Sequence, residues 1–272
     1  RFFVVPRALS YVPNKRKPWL VNLVFKNGPF DFDRDGFYAT ILDLQRHNLV
    51  QVQSSESNEL KIKLLNGEDA PLDSYERMVA SFLRRNAIGD VFDGVAFEKN
   101  IENLRLAAEN DSKSAMSALH AIRDELSDLM AGPDDSAGQE FFINRGRTAA
   151  LHMVPMVVLI LAAGLLYNSY GDYYPQTNFG FVSVIILLVQ WSFPALVAPQ
   201  AFFGRWKEDY YKEKLQWDAF KEFLSDYAMI QKYLPQDITI WKEWLVYGTA
   251  LGVGKKVAKA MENLEIPTIP ET

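Results

Sequence analysis

Two long stretches of the chain consist entirely of uncharged residues. Residues 149–167 and 179–198 contain no Asp, Glu, Lys or Arg. At about 1.5 Å of rise per residue, a helix of either length is sufficient to cross a hydrocarbon core of roughly 30 Å. A buried helix of a soluble core is the alternative, but such a helix usually carries a polar stripe. The pattern therefore predicts a transmembrane hairpin within residues 139–204 of a mainly α membrane protein.

The charges around the hairpin predict its orientation. Basic residues lie outside it on both sides: Arg145, Arg147, Arg205, Lys207, Lys212 and Lys214. The connecting loop, 168–178, contains Asp172 but no Lys or Arg. Because the cytoplasmic flanks of membrane spans carry an excess of Lys and Arg, we expect both flanks to be cytoplasmic and the loop to be external. The lipid bilayer of the cell membrane is therefore one expected partner.

The part of the chain before the hairpin predicts a small α+β domain. A basic, proline-punctuated lead-in occupies residues 1–18, and the domain itself is expected at 19–96. Within it, apolar residues recur at helical spacing in 36–48. They alternate with polar residues in 49–52 and again in 60–65, which predicts a β-hairpin.

A further helix should begin at Asp73, since Glu76 follows at the spacing of a capping box. Helix, hairpin and helix, preceded by a helix near 19–26, is the order of a winged-helix domain. We therefore predict a winged-helix-like cytoplasmic domain. Residues 97–138 follow as a charged helical segment. Its apolar residues from 115 to 129 recur at alternating spacings of four and three, which predicts an antiparallel helix pair.

Winged helices often bind DNA, but the charges of this domain argue against that function. Cations and acids stand side by side in the predicted recognition helix and hairpin: Asp43, Arg46, His47, Glu56, Glu59, Lys61 and Lys63. Residues 1–148 hold 19 Lys and Arg against 22 Asp and Glu, and residues 199–272 hold 10 against 11. Duplex DNA normally requires a clear excess of cations on one face. We therefore expect a protein partner and no nucleic acid.

Three acidic residues form a candidate metal site. Asp31, Asp33, Asp35 and Gly36 match D-x-D-x-D-G, the opening of a calcium loop. The twelfth position of such a loop should be a bidentate Glu, and here it is Leu42. The alternative is that the acids cap the following helix and interact with its positive end.

The part of the chain after the hairpin, 205–272, predicts an aromatic helical tail. Its large aromatic residues recur near helical spacing: Trp206, Trp217, Phe220, Phe223, Trp241 and Trp244. Such a stripe predicts packing, and lying along the membrane surface is the alternative. Because the hairpin returns the chain to its starting side, we expect Trp241 and Trp244 to pack on the tail's first helix and the N-terminal domain.

Signals of enzyme chemistry are absent from the sequence. The chain has no cysteine, and its three histidines, His47, His120 and His152, are far apart. No H-E-x-x-H motif, nucleophile elbow, dinucleotide glycine pattern or kinase signature occurs. We therefore predict that the protein is not an enzyme and requires no cofactor.

Short motifs on both sides of the hairpin resemble those of a known family. Before it they are Ala39-Thr40-Ile41-Leu42-Asp43-Leu44, Asn48-Leu49-Val50, and Leu72-Asp73 with Glu76. After it they are Trp217, Phe220, Phe223-Leu224, Pro235, Trp241, Leu245-Val246-Tyr247-Gly248 and Ala250-Leu251-Gly252. In this order they resemble the cytoplasmic part of the YciQ-like predicted membrane proteins of bacteria and archaea. Where typical members read Arg-Gly-Tyr, this chain has His47-Asn48-Leu49. The resemblance implies a membrane protein and no catalytic residues.

These patterns together predict a membrane-anchored interaction or regulatory protein that acts through protein contacts of its cytoplasmic domain. A small subunit of a larger membrane transport or processing complex is the alternative. A membrane-bound DNA-binding regulator is a third reading, which the local cancellation of charge disfavours.

Overall fold

The chain forms two compact units in the computed structural model. The structure describes residues 3–54, 60–65, 71–110, 112–134, 136–143, 146–170, 180, 182–187, 190, 204–233, 235, 237–264 and 266, apart from the side chains of 54, 146–154, 156, 167 and 170. One unit combines residues 1–138 with 209–272, and the other contains residues 139–208. The fold is mainly helical with small sheets, as the sequence predicts.

The first unit contains helices from both flanks of the predicted hairpin. Those before the hairpin are α1 (Pro18–Phe25), α2 (Arg34–Arg46), α3 (Ser74–Arg85), α4 (Gly94–Glu109) and α5 (Lys113–Ala131). Those after it are α7 (Tyr210–Ser225), α8 (Tyr227–Tyr233), α9 (Ile238–Ala250) and α10 (Gly254–Asn263). Its strands are β1 (Val50–Ser54), β2 (Leu60–Leu64) and β3 (Val91–Asp93).

Side-chain caps explain where several of these helices begin. The predicted capping box of α3 is present, since Asp73 accepts from the Glu76 amide at 2.8 Å and Glu76 accepts from the Asp73 amide at 2.9 Å. The side chain of Asp33 accepts a hydrogen bond from the Asp35 amide at 3.0 Å and caps α2. Each cap satisfies a backbone donor that has no partner within the helix.

The predicted β-hairpin is present and becomes part of a three-stranded antiparallel sheet. Strand β2 lies in the centre, with Val52 opposite Ile62 on one side and Phe92 opposite Ile62 on the other. Ile62 is fully buried, while Lys61 and Lys63 on either side of it point to the opposite face. The alternation of apolar and polar residues thus reports the buried face of the sheet.

The structure does not support the winged-helix description of this domain. Helix α2, which would be the recognition helix, buries seven of its residues and is covered by α1 and by α9. The third strand, β3, follows α3 and pairs with β2. The prediction lacks support because α9, which covers α2 together with α1, comes from the far end of the chain, and local patterns carry no information about it.

Aromatic rings form the core between the two flanks. Trp217 is fully buried and its ring lies 6.1 Å from that of Phe25 and 5.3 Å from that of Tyr247. Nearby, the Trp244 ring lies 5.0 Å from that of Phe223 and 5.2 Å from that of Trp241. Stacked, tilted and edge-to-face ring pairs of this kind add to the free energy gained by burying apolar area.

Helices α4 and α5 pack on each other and form an arm of the first unit. Helix α4 buries no residue, and α5 buries only Ala115 and Leu129. The arm is tied to α3 by the hydroxyl of Tyr75, which donates to the Leu129 carbonyl at 2.8 Å, and by an ion pair between Arg85 and Glu125. Most of the arm surface is therefore exposed.

The second unit contains a two-stranded antiparallel sheet and a long helix. Strands β4 (Phe142–Ile143) and β5 (Arg205–Trp206) pair, and the rings of Phe142 and Trp206 lie 5.4 Å apart. Helix α6 (Gly146–Tyr170) contains Pro155 and includes the whole first predicted span. It extends three residues beyond that span, into the predicted external loop.

Among the residues that the structure describes, no helix is both long enough and apolar enough to cross a membrane. Several side chains of the first predicted span, 149–167, lie outside that description. Of the second predicted span, 179–198, only residues 180, 182–187 and 190 lie within it. The part of the structure that is described therefore does not support the predicted transmembrane hairpin.

Replacing Trp244 should test the importance of the aromatic core. Trp244 is 2% exposed, so Trp244→Ala should leave a cavity and lower the free energy of unfolding by about 3–5 kcal/mol. Tyr227→Ala is the matched control, because Tyr227 is 41% exposed and should cost under about 1 kcal/mol. Urea unfolding of the full chain, followed by near-ultraviolet circular dichroism, measures both. If both substitutions lowered the free energy of unfolding equally, Trp244 would not be part of a core that stabilises the fold.

Candidate functional site

The contact between the two flanks is held by polar groups as well as by aromatic rings. The side chain of Asn22 is fully buried in α1, and its amide donates to the Ala250 carbonyl at 2.9 Å. The hydroxyl of Tyr247 in α9 donates to the Arg16 carbonyl at 2.6 Å. Each bond satisfies a group that would be costly to bury alone, and each has a specific partner on the other flank.

Two buried carboxylates fix the lead-in segment to the rest of the first unit. Lys17 donates to both oxygens of Glu76 at 2.7 and 2.8 Å. Arg16 donates to both oxygens of Glu213 at 3.0 and 3.1 Å, and the Trp217 indole donates to Glu213 at 3.3 Å. Bidentate contacts compensate the cost of burying a carboxylate, so removing either cation would leave an unpaired charge.

Two of the three predicted metal candidates, Asp33 and Asp35, pair with a lysine. Lys26 pairs with Asp33, and its ammonium donates to Asp35 at 2.6 Å. Asp31 accepts from the Asn27 side chain at 3.1 Å. Among the described residues, no group of three or more His, Cys, Asp or Glu side chains could hold a metal ion. The Lys26 ammonium therefore supplies the positive charge that the calcium hypothesis assigned to a metal.

Opposing effects set the pKa values of the Lys26–Asp33 pair. Burial by itself would raise the pKa of Asp33, but hydrogen bonds from Lys26, from Asn22 and from the Asp35 amide outweigh it, and the pKa lies below its ordinary value. Burial would likewise lower the pKa of Lys26, yet its bonds to Asp33 and Asp35 raise it. Both groups are therefore charged at neutral pH.

Two buried tyrosines have shifted pKa values but no evident chemical role. Burial raises the pKa of Tyr75 and of Tyr247 well above the ordinary tyrosine range. Each hydroxyl donates its proton to a backbone carbonyl. They stay protonated near neutral pH and serve as structural donors, so neither is suited to act as a general base.

A cavity of about 220 Å³ opens between α2, α9 and the sheet. Its lining is largely apolar, with a few cationic and amide side chains: Leu42, Gln45, Arg46, Asn48, Val50, Gln51, Leu65, Lys242, Leu245 and Val246. Arg46 pairs with Asp43 at 2.7 Å and reaches Glu243 of α9 at 3.9 Å. An apolar cavity with a few convergent polar groups is typical of small-molecule sites.

A comparison with protein families matches residues 8–261 to the description "Predicted membrane protein (DUF2207) C-terminal domain". The chain belongs to this family. Neither the curated proteins nor the solved structures provide a match. The match agrees with the membrane character predicted from the sequence, whereas the narrower YciQ-like description stays a prediction.

In this DUF2207 C-terminal domain, the predicted packing residues separate into two groups. Five of them lie together, buried in the first unit: Trp217, Phe220, Phe223, Trp241 and Trp244. Trp206 belongs to β5 of the second unit.

Sequence reasoning missed the cavity of this DUF2207 domain altogether. The only available signal was the spacing of Leu42 with Gln45 and Arg46, and of Lys242 with Leu245 and Val246. Three- and four-residue steps place such residues on one helix face. The sequence does not indicate that this face of α2 packs against this face of α9.

Replacing Asp33 with Asn should isolate the charge of the Lys26–Asp33 pair. Asn still caps a helix, so Asp33→Asn removes mainly the ionic contact. Because the Asp33 side chain is 37% exposed, solvent screening should limit the loss at pH 7 to about 1 kcal/mol of unfolding free energy.

The same substitution also has an expected pH dependence. The pKa of Asp33 is lower in the folded chain than its ordinary value of 3.8, so its stabilisation is present above 3.8 and is lost as the pH falls through the folded pKa. The difference between wild type and variant should therefore narrow below pH 3.8. Urea unfolding between pH 7 and pH 3 measures it, and a constant difference would contradict the ionic assignment.

Proposed function

We propose that this protein is anchored in the cell membrane by a hairpin of residues 149–167 and 179–198, and that its two flanks form one cytoplasmic unit acting through protein contacts. The observation that carries the proposal is the composition of the first unit, which combines residues 1–138 with 209–272. The family description as a predicted membrane protein agrees with it.

The first unit, which contains both flanks of the predicted hairpin, supports an even number of membrane crossings. Helix α9 packs on α2 and α1, so residues after the hairpin contact residues before it. A single crossing would put these helices on opposite sides of a bilayer and separate them. Two crossings return the chain to its starting side, and the basic flanks favour the cytoplasmic side.

Exposed apolar side chains in the second unit support a lipid-facing role. On α6, Leu161 is 63% exposed and Leu165 is 69% exposed, and Val158 is also exposed. Ile186 and Leu187, in the second predicted span, are exposed as well. In water, a contiguous apolar surface of this kind is unfavourable, whereas in a bilayer it meets hydrocarbon.

The absence of cysteine from the chain allows a direct test of topology. Single substitutions Lys99→Cys, Gly171→Cys and Lys255→Cys provide one thiol each for a membrane-impermeant maleimide. We expect Gly171→Cys to react in intact cells, and the other two to react only after permeabilisation. The unsubstituted chain is the control for background labelling. Reaction of Lys255→Cys in intact cells, or protection of Gly171→Cys, would contradict the hairpin.

The arm formed by α4 and α5 supports the protein-contact part of the proposal. Leu106 on α4 is 50% exposed and Met116 on α5 is 47% exposed, and Val95 and Met130 add to the same kind of surface. Exposed Leu and Met side chains on a weakly buried helix pair favour association with a partner. This observation suits an adaptor and equally a small subunit of a larger membrane complex.

Introducing a negative charge on the exposed apolar surface of the arm should separate partner binding from folding. Leu106→Glu and Met116→Glu change exposed positions, so each should alter the unfolding free energy by less than about 0.5 kcal/mol. We expect both to reduce recovery of a co-purifying protein in mild detergent, and Lys255→Glu on α10 to leave it unchanged. A stoichiometric partner indicates a complex subunit, and substoichiometric recovery indicates an adaptor. Undiminished recovery with both variants would exclude the arm as the contact surface.

The covering of α2 by α9 also argues against the DNA-binding alternative. A recognition helix must be free to enter the major groove, and α2 has its apolar face buried and its Arg46 paired with Asp43. We therefore expect no duplex-DNA binding.

A further inference from the structure

We propose that the cavity between α2 and α9 binds a small monocarboxylate with an apolar body. Its volume of about 220 Å³ exceeds the roughly 150 Å³ of an apolar cavity that admits benzene. It is smaller than the roughly 300–1,000 Å³ typical of sites for drug-sized ligands. The fitting ligand is therefore about the size of one substituted six-membered ring or a short acyl chain.

Apolar side chains from both flanks surround the space for the ligand body. Leu42 and Val50 come from the N-terminal flank, and Leu245 and Val246 come from α9. Val50 and Val246 are buried, so the inner wall of the cavity is closed to bulk water. An apolar group placed here would lose its contact with water on several sides.

The charges of the lining favour one negative charge on the ligand. Two cations line the cavity, Arg46 and Lys242, and no acidic residue does. Arg46 is already paired, because Asp43 at 2.7 Å and Glu243 at 3.9 Å approach it from outside the lining. Within the described part of the chain, Lys242 makes no ion pair, so its ammonium is the cation that a carboxylate would meet.

Amide side chains complete the polar side of the site. Gln45, Asn48 and Gln51 line the same cavity and can donate hydrogen bonds to a second carboxylate oxygen. Amides discriminate weakly between charged and neutral ligands, whereas an ammonium strongly favours an anion. Selectivity for a carboxylate should therefore depend on Lys242.

A ligand bound in this cavity would stabilise the association of the two flanks of the hairpin. The lining residues belong to α2, to β1 and to the adjoining positions Asn48 and Leu65 on one flank, and to α9 on the other. A ligand that contacts both binds the assembled unit and not the separated flanks, so it stabilises their association by mass action. The site is thus suited to sensing a small metabolite and reporting it as a change in the stability of the unit.

Three ligands of nearly the same shape test the proposal. Benzoate, benzamide and benzamidinium carry charges of about −1, 0 and +1 at neutral pH. We expect isothermal titration of the full chain in lipid nanodiscs to show benzoate binding about tenfold more tightly than benzamide, with no detectable benzamidinium binding. Empty nanodiscs provide the correction for partition into lipid. Equal affinities for benzoate and benzamide, or no binding of benzoate, would overturn the proposal.

Two substitutions assign the binding to this cavity. Lys242→Gln should weaken benzoate about tenfold, to the level of benzamide, while Lys255→Gln on the exposed side of α10 should leave it unchanged. Leu245→Trp should fill the cavity and abolish benzoate binding, which provides an independent test if Lys242→Gln fails to fold. Thermal unfolding checks that each variant is folded. Benzoate affinity that survives in a folded Lys242→Gln or Leu245→Trp chain would overturn the assignment.

Discussion

The packing of α9 on α2 is the contact on which the rest of the first unit depends. Helix α2 buries seven of its residues, and α9 and α1 make the most extensive contacts with it. In return, α9 buries Trp241, Trp244 and Tyr247, whose rings pack with one another and with Phe223 and Trp217 of the same flank. The Tyr247 hydroxyl donates to the Arg16 carbonyl of the other flank. Burial of one large side chain contributes about 1.5–3 kcal/mol, so these rings stabilise the helix that covers α2.

Charged residues add specificity to the packing of the first unit. Glu76, Glu213 and Asp43 are buried, and each faces a cation. Aromatic rings tolerate small displacements, whereas a buried carboxylate that loses its cation carries an uncompensated charge. The pairs of Glu76 with Lys17 and of Glu213 with Arg16 therefore favour one register between the lead-in segment and helices α3 and α7. The same logic explains the acidic run before α2, where Lys26 neutralises Asp33 and Asp35.

The exposed apolar surfaces of the two units have different physical consequences. On α6 they cover a long, largely uncharged helix, which suits hydrocarbon. On the arm they are single Leu and Met side chains among charged residues, which suits a protein surface. The cavity beside α2 differs from both, because residues of both flanks line it and two of them are cationic. Anchoring, partner binding and ligand binding would thus use separate parts of the molecule.

Local sequence patterns determined the elements, and the tertiary structure decided their partners. The capping box at Asp73, the β-hairpin and the mainly helical character follow from propensities and spacings of neighbouring residues. The winged-helix description gained no support, and the cavity was missed, because one partner of α2, helix α9, lies on the other side of the predicted hairpin. The acidic motif at Asp31–Asp35 suggested calcium, since sequence spacing does not reveal that Lys26 folds back onto it. Periodicity states which face of a helix is buried, but only long-range packing determines what covers it.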